Sequence, residues 1–472
     1  MATDNDKKKD KKEEEYVRQT GSLKQRLGRV KKTRWWRFGL VALIYVLWTC
    51  WVGNPWLLLG LLLLADIYLT QYIPWGAWKG LKNKTLRTIM SWLDAIVYAL
   101  VLVYFLFLFV GQNYQIPSSS LEKSLLTGDF LWVNKVVYGP RVPQTPLHFP
   151  LAQNTLPILN CKSYIESPQL EYHRLKGLRN VERMDIVVFN FPAGDTVALK
   201  MPNPDYYTLC QERGREVVRN NKEIFGDVIY RPVDRRDNYV KRCLGLPGET
   251  LQIVDGIVYV NGEAVPQPKN VQYFYYVETD GTFIDNGTFD ELDISMEDRH
   301  ASGSTYILPL TSAMKQTLES KPWVRLIQRI QPEPGESLYT YPVGVDYGWT
   351  HANYGPIWIP KKGAKVKLTM QNLPLYERCI RNYEGNTLEV KGDQIIINGQ
   401  PATNYTFKMD YYWMQGDNRD NSLDSRYWGF VPEDHIVGTP AIILISFDKD
   451  HSLFNGGIRW NRIFKMPNPD KK

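Results

Sequence analysis

The chain has 472 residues, and 44% of them are hydrophobic, a proportion that is ordinary for a folded protein. Its formal net charge of +7 is concentrated at one end. Residues 1–37 contain thirteen Lys or Arg and six Asp or Glu, which already gives +7, so the rest of the chain is neutral on balance. A basic block that precedes apolar sequence indicates an anionic phospholipid membrane surface as a partner, and it argues against nucleic acid.

Three apolar segments follow this basic tail and predict three transmembrane helices, at about 38–53, 55–73 and 90–111. Each is about long enough to cross a hydrocarbon core of ~30 Å. A removable signal peptide is disfavoured, because the charged region before the first segment is nearly forty residues long and no small-x-small cleavage site follows it.

The charges that flank these segments predict their orientation. The loop before the third segment carries Lys79, Lys82, Lys84 and Arg87 and no acidic residue. By the positive-inside rule this loop and the basic tail (1–37) are cytoplasmic, so everything from about Gln112 onward is extracytoplasmic.

Two acidic residues, Asp66 and Asp94, fall inside predicted spans. An acid in lipid is a functional hint by default. Here both lie toward the cytoplasmic ends, and we expect them to snorkel or to pair with Lys82 or Arg87.

The exported part is predicted to be mostly β. Short runs rich in Val, Ile and Tyr alternate with Gly, Pro, Asn and Asp: "DFLWVNKVVYG", "MDIVVFNFP", "NYVKRCLGLPG", "TLQIVDGIVYVNG", "KVKLTM", "NTLEVKGDQIIINGQ" and "TPAIILISFD". Two of these stretches, 242–265 and 378–402, repeat one pattern of Arg-Cys, strand, turn, strand and Asn-Gly, and both predict β-hairpins. Between them, residues 267–372 predict an insertion or second lobe, whose role the sequence does not reveal.

Cofactor and metal motifs are missing from the sequence. The six histidines show no HExxH spacing and the five cysteines no CxxC, so no metal and no cofactor are predicted. Disulfides are permitted on the extracytoplasmic side, but their pairing cannot be read from the sequence.

The stretch "IPSSSLEKSLLTGDF" (116–130) places three serines just after the third apolar segment. A serine hydroxyl becomes a good nucleophile only when a base takes its proton, and with no histidine motif nearby the base would be a lysine. At a pKa of about 10.4 only ~1 in 2,500 lysines is neutral at pH 7, so such a lysine must be buried. Ser119 and Glu122 also have the spacing of a helix capping box, so one serine is expected to be structural.

Two lysines compete for the role of base. Lys123 gives a Ser-x-x-Lys spacing that would share one helical face with Ser120, as in penicillin-interacting enzymes, yet the companion S-D-N and K-T-G tripeptides are missing from the sequence. We therefore interpret Lys123 as charged and solvated. Lys241 lies in "NYVKRCLGLPG", where strand alternation puts Tyr239 and Cys243 beside the lysine and Val240 on the opposite face.

Four stretches occur in a fixed order after the predicted membrane anchor: "IPSSSLEKSLLTGDFLWVNKVVYG", "MDIVVFNFP", "YVKRCLGLPGE" and "GDNRDNSLDSRYWGFVPEDHIVG". In this order the chain resembles the bacterial type I signal peptidases, or leader peptidases. The last stretch is the most specific of the four. Taken alone it would suggest Asx turns on a solvated loop.

The resemblance implies a role for each matching position. Ser120 would be the nucleophile and Lys241 the general base, while Ser118 would complete an oxyanion hole with the backbone N–H of Ser120. Ser422 would orient the lysine amine, and Asp424 and Arg426 would form a supporting ion pair. The residues that would line shallow substrate pockets are Ile116, Pro117, Leu121, Leu125, Tyr239 and Val240.

The resemblance also implies the architecture and the activity. The fold class would be a membrane-anchored, mostly-β protein in which an extracytoplasmic peptidase domain, with an inserted second lobe, follows three transmembrane helices. Residues 112–266 would be the first part of the catalytic β-domain, and 373–472 would return to its core. The chain would be a serine endopeptidase of the bacterial cytoplasmic membrane that removes signal peptides from exported preproteins.

Two other functions remain open at this stage. One is a penicillin-interacting acyl enzyme that uses Ser120 and Lys123. The other is a non-enzymatic membrane sensor or assembly factor whose β-domain binds a partner.

Overall fold

The computed structural model describes residues 21–156, 159, 161–192, 196–201, 205–333, 335–452 and 456–468. The chain divides into two compact units, Met1–Phe105 and Leu106–Lys472. Most of the predicted basic tail lies outside the described residues.

Two helices are long and apolar enough to cross a membrane, Lys32–Val52 and Lys84–Phe109. They correspond to the first and third predicted spans and support membrane association. The apolar residues Pro55–Thr70 form instead a 3₁₀ turn (Pro55–Leu59), a short α-helix (Gly60–Ala65) and a π turn (Asp66–Thr70). At 1.5 Å per residue this segment reaches only about 24 Å, less than the ~30 Å hydrocarbon core. A second span at 55–73 is therefore not confirmed.

Asp66 holds the end of this short segment together. Its buried carboxylate accepts hydrogen bonds from the hydroxyl of Thr70, the backbone N–H groups of Tyr72 and Ile73, and the indole of Trp75. These local partners satisfy the acid in place of the predicted Lys82 or Arg87. Asp94 lies on the exposed face of its helix.

The second unit is built on a seven-stranded antiparallel sheet. In spatial order its strands are Gly111–Gln115, Asp129–Asn134, Ile436–Ser446, Ile186–Asn190, Asn238–Gly245, Tyr411–Gln415 and Val431–Pro432. The prediction of strands in "DFLWVNKVVYG", "MDIVVFNFP", "NYVKRCLGLPG" and "TPAIILISFD" is confirmed. We call Asn238–Gly245 the lysine strand and residues 116–128, between the first two strands, the serine loop.

Apolar side chains dock the serine loop onto this sheet. Ile116, Leu121 and Leu125 are buried in one cluster with sheet residues that include Ile186 and Val188. Val240 of the lysine strand packs against the same cluster. Burial of this kind contributes roughly 1.5–3 kcal/mol for each large aliphatic side chain, and it fixes the loop over the strand that carries Lys241.

Both predicted hairpins are present. The first pairs Thr250–Val254 with Ile257–Val260, and the second pairs Leu388–Lys391 with Gln394–Ile397. The residues before the hairpins differ, because Arg242 and Cys243 belong to the lysine strand whereas Arg378 ends a short helix.

The predicted insertion contains a small sheet with its own core. Its strands are, in spatial order, His300–Ser302, Thr305–Leu310, Tyr273–Thr279 and Val324–Arg329. Helices Asn286–Glu291 and Ser312–Glu319 cover it, and residues such as Val277, Leu308 and Leu318 fill the space between. Beyond this lobe, Tyr354–Trp358 pairs with Thr250–Val254 of the first hairpin. The domain boundaries at 266/267 and 372/373 stay a prediction.

The remaining described elements are short. The strands are Thr196–Ala198 paired with Val228–Tyr230, Lys365–Lys367 paired with Asn404–Thr406, and the hairpin extensions Glu263–Ala264 and Gln400–Pro401. The α-helices are Leu23–Gly28, Tyr206–Arg213, Arg215–Asn220, Lys222–Phe225, Leu373–Arg378 and Ser425–Trp428. All five cysteines carry free thiols.

The core that supports the serine loop can be tested with two strand leucines. Leu131→Ala empties a fully buried site in the serine-loop cluster, and we expect it to lower the free energy of unfolding by about 2–5 kcal/mol. Leu326→Ala removes a side chain that is half exposed, and its effect should stay within about 0.5 kcal/mol. Denaturant unfolding of the detergent-solubilised chain, followed by tryptophan fluorescence, measures both. Equal losses would contradict this assignment of the core.

Candidate active site

The structure brings Ser120 and Lys241 into direct contact, although 121 positions separate them in the chain. Lys241 Nζ lies 2.6 Å from Ser120 Oγ. The lysine is 3% exposed and the serine 8%. A neutral amine at this distance can accept the hydroxyl proton, which is the geometry that general-base activation of a serine requires.

Burial changes the proton affinity of Lys241. Desolvation lowers its pKa to about 8, and the nearby Arg426 acts in the same direction. Asp424 and Asp417 oppose this shift. The Tyr239 ring stands 5.9 Å from the amine and supplies part of the apolar surroundings. The expected burial of Lys241 is thus present, with Tyr239 and Cys243 in one core cluster and Val240 against another.

Asp424 and Arg426 form a buried, two-pronged ion pair. Arg426 donates from Nε to Asp424 Oδ1 at 2.9 Å and from Nη2 to Oδ2 at 2.8 Å. The backbone N–H of Gly416 donates to the same carboxylate. The pair therefore fixes both ends of residues 416–426, which we call the Asx loop, and it sets the charge that Lys241 experiences.

Ser422 lies close to Ser120 but makes no hydrogen bond to Lys241. Its hydroxyl is buried and has no hydrogen-bond partner among the described residues. It stands against Gly416, where an added Cβ would lie 2.1 Å from Ser422 Oγ and 2.6 Å from the Ser120 carbonyl oxygen. The Ser422 hydroxyl can rotate toward Lys241 at little cost, because it has no other hydrogen bond to give up. Orientation of the lysine amine by Ser422 therefore stays a prediction.

The predicted oxyanion donors are only partly arranged. The Ser120 backbone N–H donates no hydrogen bond to any described residue, so it is available to a ligand. Ser118 is exposed. Its hydroxyl makes no hydrogen bond to any residue that the structure describes. Its role as a second donor stays a prediction.

The predicted pocket residues divide into two groups. Ile116, Leu121 and Leu125 are buried in the serine-loop cluster, so their side chains support Ser120 from below. Pro117 is exposed, whereas Tyr239 and Val240 are half buried. Only these last three present open surface, and substrate contact by any of the six stays a prediction.

The Asx loop is mostly buried, so it is not the solvated loop that this stretch would suggest when taken alone. Asn418, at 0% exposure, donates its backbone N–H to the Ser120 carbonyl and its side-chain amide to the Ser119 carbonyl. Asn421 donates to the Ser119 hydroxyl. These two asparagines hold the serine loop in place, and neither was identified from the sequence.

A second buried ion pair was also missed. Arg242, next to Lys241 in the lysine strand, donates to both carboxylate oxygens of Asp417 at 2.8 and 2.6 Å. Ser124 of the serine loop donates to the same carboxylate. This pair connects the lysine strand, the Asx loop and the serine loop. No local sequence pattern predicts such a long-range contact.

The inserted lobe contacts the Asx loop directly. The backbone N–H of Phe274 donates to the Asp420 carboxylate at 2.7 Å, and Gln272 exchanges backbone hydrogen bonds with Asp417 and Arg419. The insertion therefore braces the loop that positions Ser120.

Lys123 does not act on Ser120 in this structure. The serine loop forms turns rather than a helix, and Lys123 has a positive φ of 68°. Its amine contacts the carboxylate of Asp293 in the inserted lobe at 3.0 Å. The predicted solvated Lys123 is therefore wrong, since a specific partner holds it. The capping box of Ser119 and Glu122 is also wrong, because no helix starts there.

Comparison with known families agrees with this geometry. The family model described as "Signal peptidase, peptidase S26" matches residues 89–299 and 405–445, more than half of the chain. The chain belongs to this signal peptidase family. The matched residues include Ser120, Lys241 and the Asx loop, whereas residues 300–404, with most of the inserted lobe, fall outside the match.

Two relatives match over most of their length, and a third matches over a short stretch. The signal peptidase I of Buchnera aphidicola from Acyrthosiphon pisum is 24% identical over 391 residues, which are 81% of this chain and 82% of that protein. That of Helicobacter pylori is 21% identical over 394 residues, or 81% and 94% of the two chains. A shorter stretch of the Haemophilus influenzae signal peptidase I is 47% identical over 53 residues, 11% of this chain and 15% of that protein.

The crowding at Gly416 gives a test of the site. Gly416→Ala should force Ser422 and the Ser120 carbonyl apart, and we expect peptidase activity to fall by about 10²-fold, since displacements near 1 Å cost that much. The variant Gly80→Ala is the matched control, because a Cβ there meets nothing within 4 Å. Cleavage of a signal-peptide substrate by the detergent-solubilised chain measures both. Full activity of Gly416→Ala would contradict the described packing.

Proposed function

We propose that this chain removes signal peptides from exported preproteins, with Ser120 as the nucleophile and Lys241 as the general base. The observation that carries the proposal is the 2.6 Å contact between Ser120 Oγ and a buried lysine amine. Membership of the signal peptidase family supplies the reaction class.

The reaction follows from the arrangement of these groups. Neutral Lys241 takes the proton of Ser120 as the hydroxyl attacks the scissile carbonyl, and the resulting ammonium returns a proton to the leaving amine. The Ser120 N–H, with the Ser118 hydroxyl as a second donor, stabilises the oxyanion, at about 3–4 kcal/mol for each donor. Water then attacks the acyl-enzyme while Lys241 takes its proton, and the lysine passes this proton to Ser120 Oγ as the ester bond breaks.

The substrate would bind as an extended strand beside the serine loop. Side chains two positions apart then point to the same face, so the residue before the cut and the one two positions earlier enter neighbouring recesses. Because Ile116, Leu121 and Leu125 already fill the core beneath Ser120, we expect these recesses to be shallow and to accept small side chains.

The site would work at the outer surface of the cytoplasmic membrane. In this proposal Lys84–Phe109 crosses the bilayer with the second unit on the extracytoplasmic face. Residues 55–73 form a further span, and local thinning of the bilayer accommodates their short helical part. Eleven positions separate Phe109 from Ser120, which limits the distance to at most about 40 Å. Signal peptides present their cleavage site just beyond an apolar segment, within this reach.

The assignment predicts which side chains are indispensable. Ser120→Ala and Lys241→Ala should each lower preprotein cleavage by more than about 10³-fold, because they remove the nucleophile and its base. Lys123→Ala should retain activity within a few-fold, since its amine binds Asp293. The assay uses purified protein in detergent with a preprotein.

Circular dichroism controls for folding of the three variants. Unchanged cleavage by Ser120→Ala or Lys241→Ala would contradict the dyad. Loss of activity in Lys123→Ala, together with labelling by a fluorescent penicillin, would favour the penicillin-interacting alternative. Full biological function of Ser120→Ala would favour the alternative of a non-enzymatic membrane sensor or assembly factor.

The lowered pKa of Lys241 predicts the pH dependence. The reaction needs the neutral amine, so kcat/KM should rise about tenfold per pH unit below pH 7 and level off above a midpoint near 8. A pH–rate profile with a peptide substrate measures this. A rise that continues to pH 10 or beyond would show an ordinary, solvated lysine.

A further inference from the structure

A small polar cavity lies where the helix Lys84–Phe109 gives way to the sheet. Its volume is about 60 Å³, and Phe107 and Leu108 of the helix's last turn form one wall. Lys135, Arg141 and Arg235 form the polar side. Since about 10–15 Å³ of such space holds one water, the cavity has room for a few waters or a group the size of a phosphate but not for a bulky ligand.

Positive charge dominates this cavity. Asp234 also lines it, but its carboxylate already accepts hydrogen bonds from the hydroxyl and backbone N–H of Thr145. His148 is neutral at pH 7, because burial and the nearby Arg235 lower its pKa to about 4. Two guanidinium groups and one amine therefore face one acid.

The cations also act on one another. The pKa of Lys135 is lowered to about 7, first by burial and then by Arg141 and Arg235. Gathering like charges in a buried place is costly unless an anion offsets them.

Of these three side chains, Arg235 has an N–H group that donates to no described residue. Arg235 is 6% exposed, and its Nε has no hydrogen-bond partner among the described residues. Its guanidinium stands 3.5 Å from Asp234, beyond good hydrogen-bonding distance. Arg141 donates to Asn190 and to the Asp434 carbonyl, and Lys135 donates to Gln112 and to the Phe107 carbonyl. The unpaired Nε–H of Arg235 suits a phosphate oxygen, because a guanidinium is a strong donor to phosphate.

We propose that this cavity binds the phosphate group of an anionic membrane phospholipid. Soluble phosphate offers the same chemistry, but Phe107 and Leu108 belong to the last turn of the proposed span and place the cavity at headgroup depth. The inference thus rests on Lys84–Phe109 crossing the membrane, and it goes beyond the peptidase reaction. The bound headgroup would fix the depth and tilt of the catalytic unit at the bilayer.

The test compares lipid retention by the full chain. Wild type, Lys135→Gln, Arg235→Gln and the control Lys365→Gln are purified from micelles with equal phosphatidylglycerol and phosphatidylcholine, and retained lipid is counted by native mass spectrometry. Lys365 is an exposed strand residue outside the cavity. Its variant removes one positive charge, as the cavity variants do, but leaves the cavity intact. We expect wild type and Lys365→Gln to retain phosphatidylglycerol selectively. Lys135→Gln and Arg235→Gln should lose about tenfold in occupancy.

Two further arms separate the possible failures. Equal phosphatidylglycerol retention by all four proteins overturns the proposal. Thermal stabilisation by millimolar inorganic phosphate that needs Arg235, without lipid retention, overturns the lipid assignment in favour of a soluble anion.

Cleavage of a short peptide in detergent should be equal in all four proteins, so the outcome for the cavity is independent of that for the dyad. Carbonate extraction checks the span, and release of the wild type would remove the proposal's basis.

Discussion

Burial of the Lys241 amine is the constraint on which the rest of the structure depends. Moving its pKa from the usual 10.5 to about 8 corresponds to roughly 3 kcal/mol of preference for the neutral amine. That preference makes about one amine in ten neutral at pH 7, a several-hundred-fold gain over a solvated lysine. The free energy for this burial comes from the sheet, where an aliphatic cluster holds the serine loop over the lysine strand and a largely aromatic cluster packs on that strand as well.

Three buried polar contacts then set the position of the hydroxyl relative to this amine. The Arg242–Asp417 pair joins the lysine strand to the Asx loop, Asn418 joins that loop to the Ser120 carbonyl, and Asp424–Arg426 closes the loop on itself. Buried ion pairs contribute little net stability when complete, but loss of one partner costs several kcal/mol. The effect of the three contacts is geometric, because two of them join the Asx loop to the lysine strand and to the serine loop, and the third fixes the ends of the Asx loop.

Much of the fold was predictable from the sequence, since most strands of the main sheet and both hairpins follow local patterns of β-branched residues and turns. Strand alternation placed apolar neighbours beside Lys241, but its burial was inferred from what a lysine base requires and from the family resemblance. The identity of its serine partner came from the family resemblance, as no local pattern joins positions 120 and 241. The turn at Lys123 and the burial of Asn418 were missed because both depend on distant partners, Asp293 in the inserted lobe and the serine loop. The strand Tyr273–Thr279 carried an aromatic signal that could have been found.

The most direct test of the central claim is a titration of the Lys241 amine itself. Lysine labelled with ¹³C at Cε, in the Ser120→Ala variant in detergent, reports protonation through its NMR chemical shift, and Lys241→Ala identifies the signal. The account predicts one lysine with a midpoint near pH 8. A signal for Lys241 that titrates near 10.5, with the solvated lysines, would contradict it.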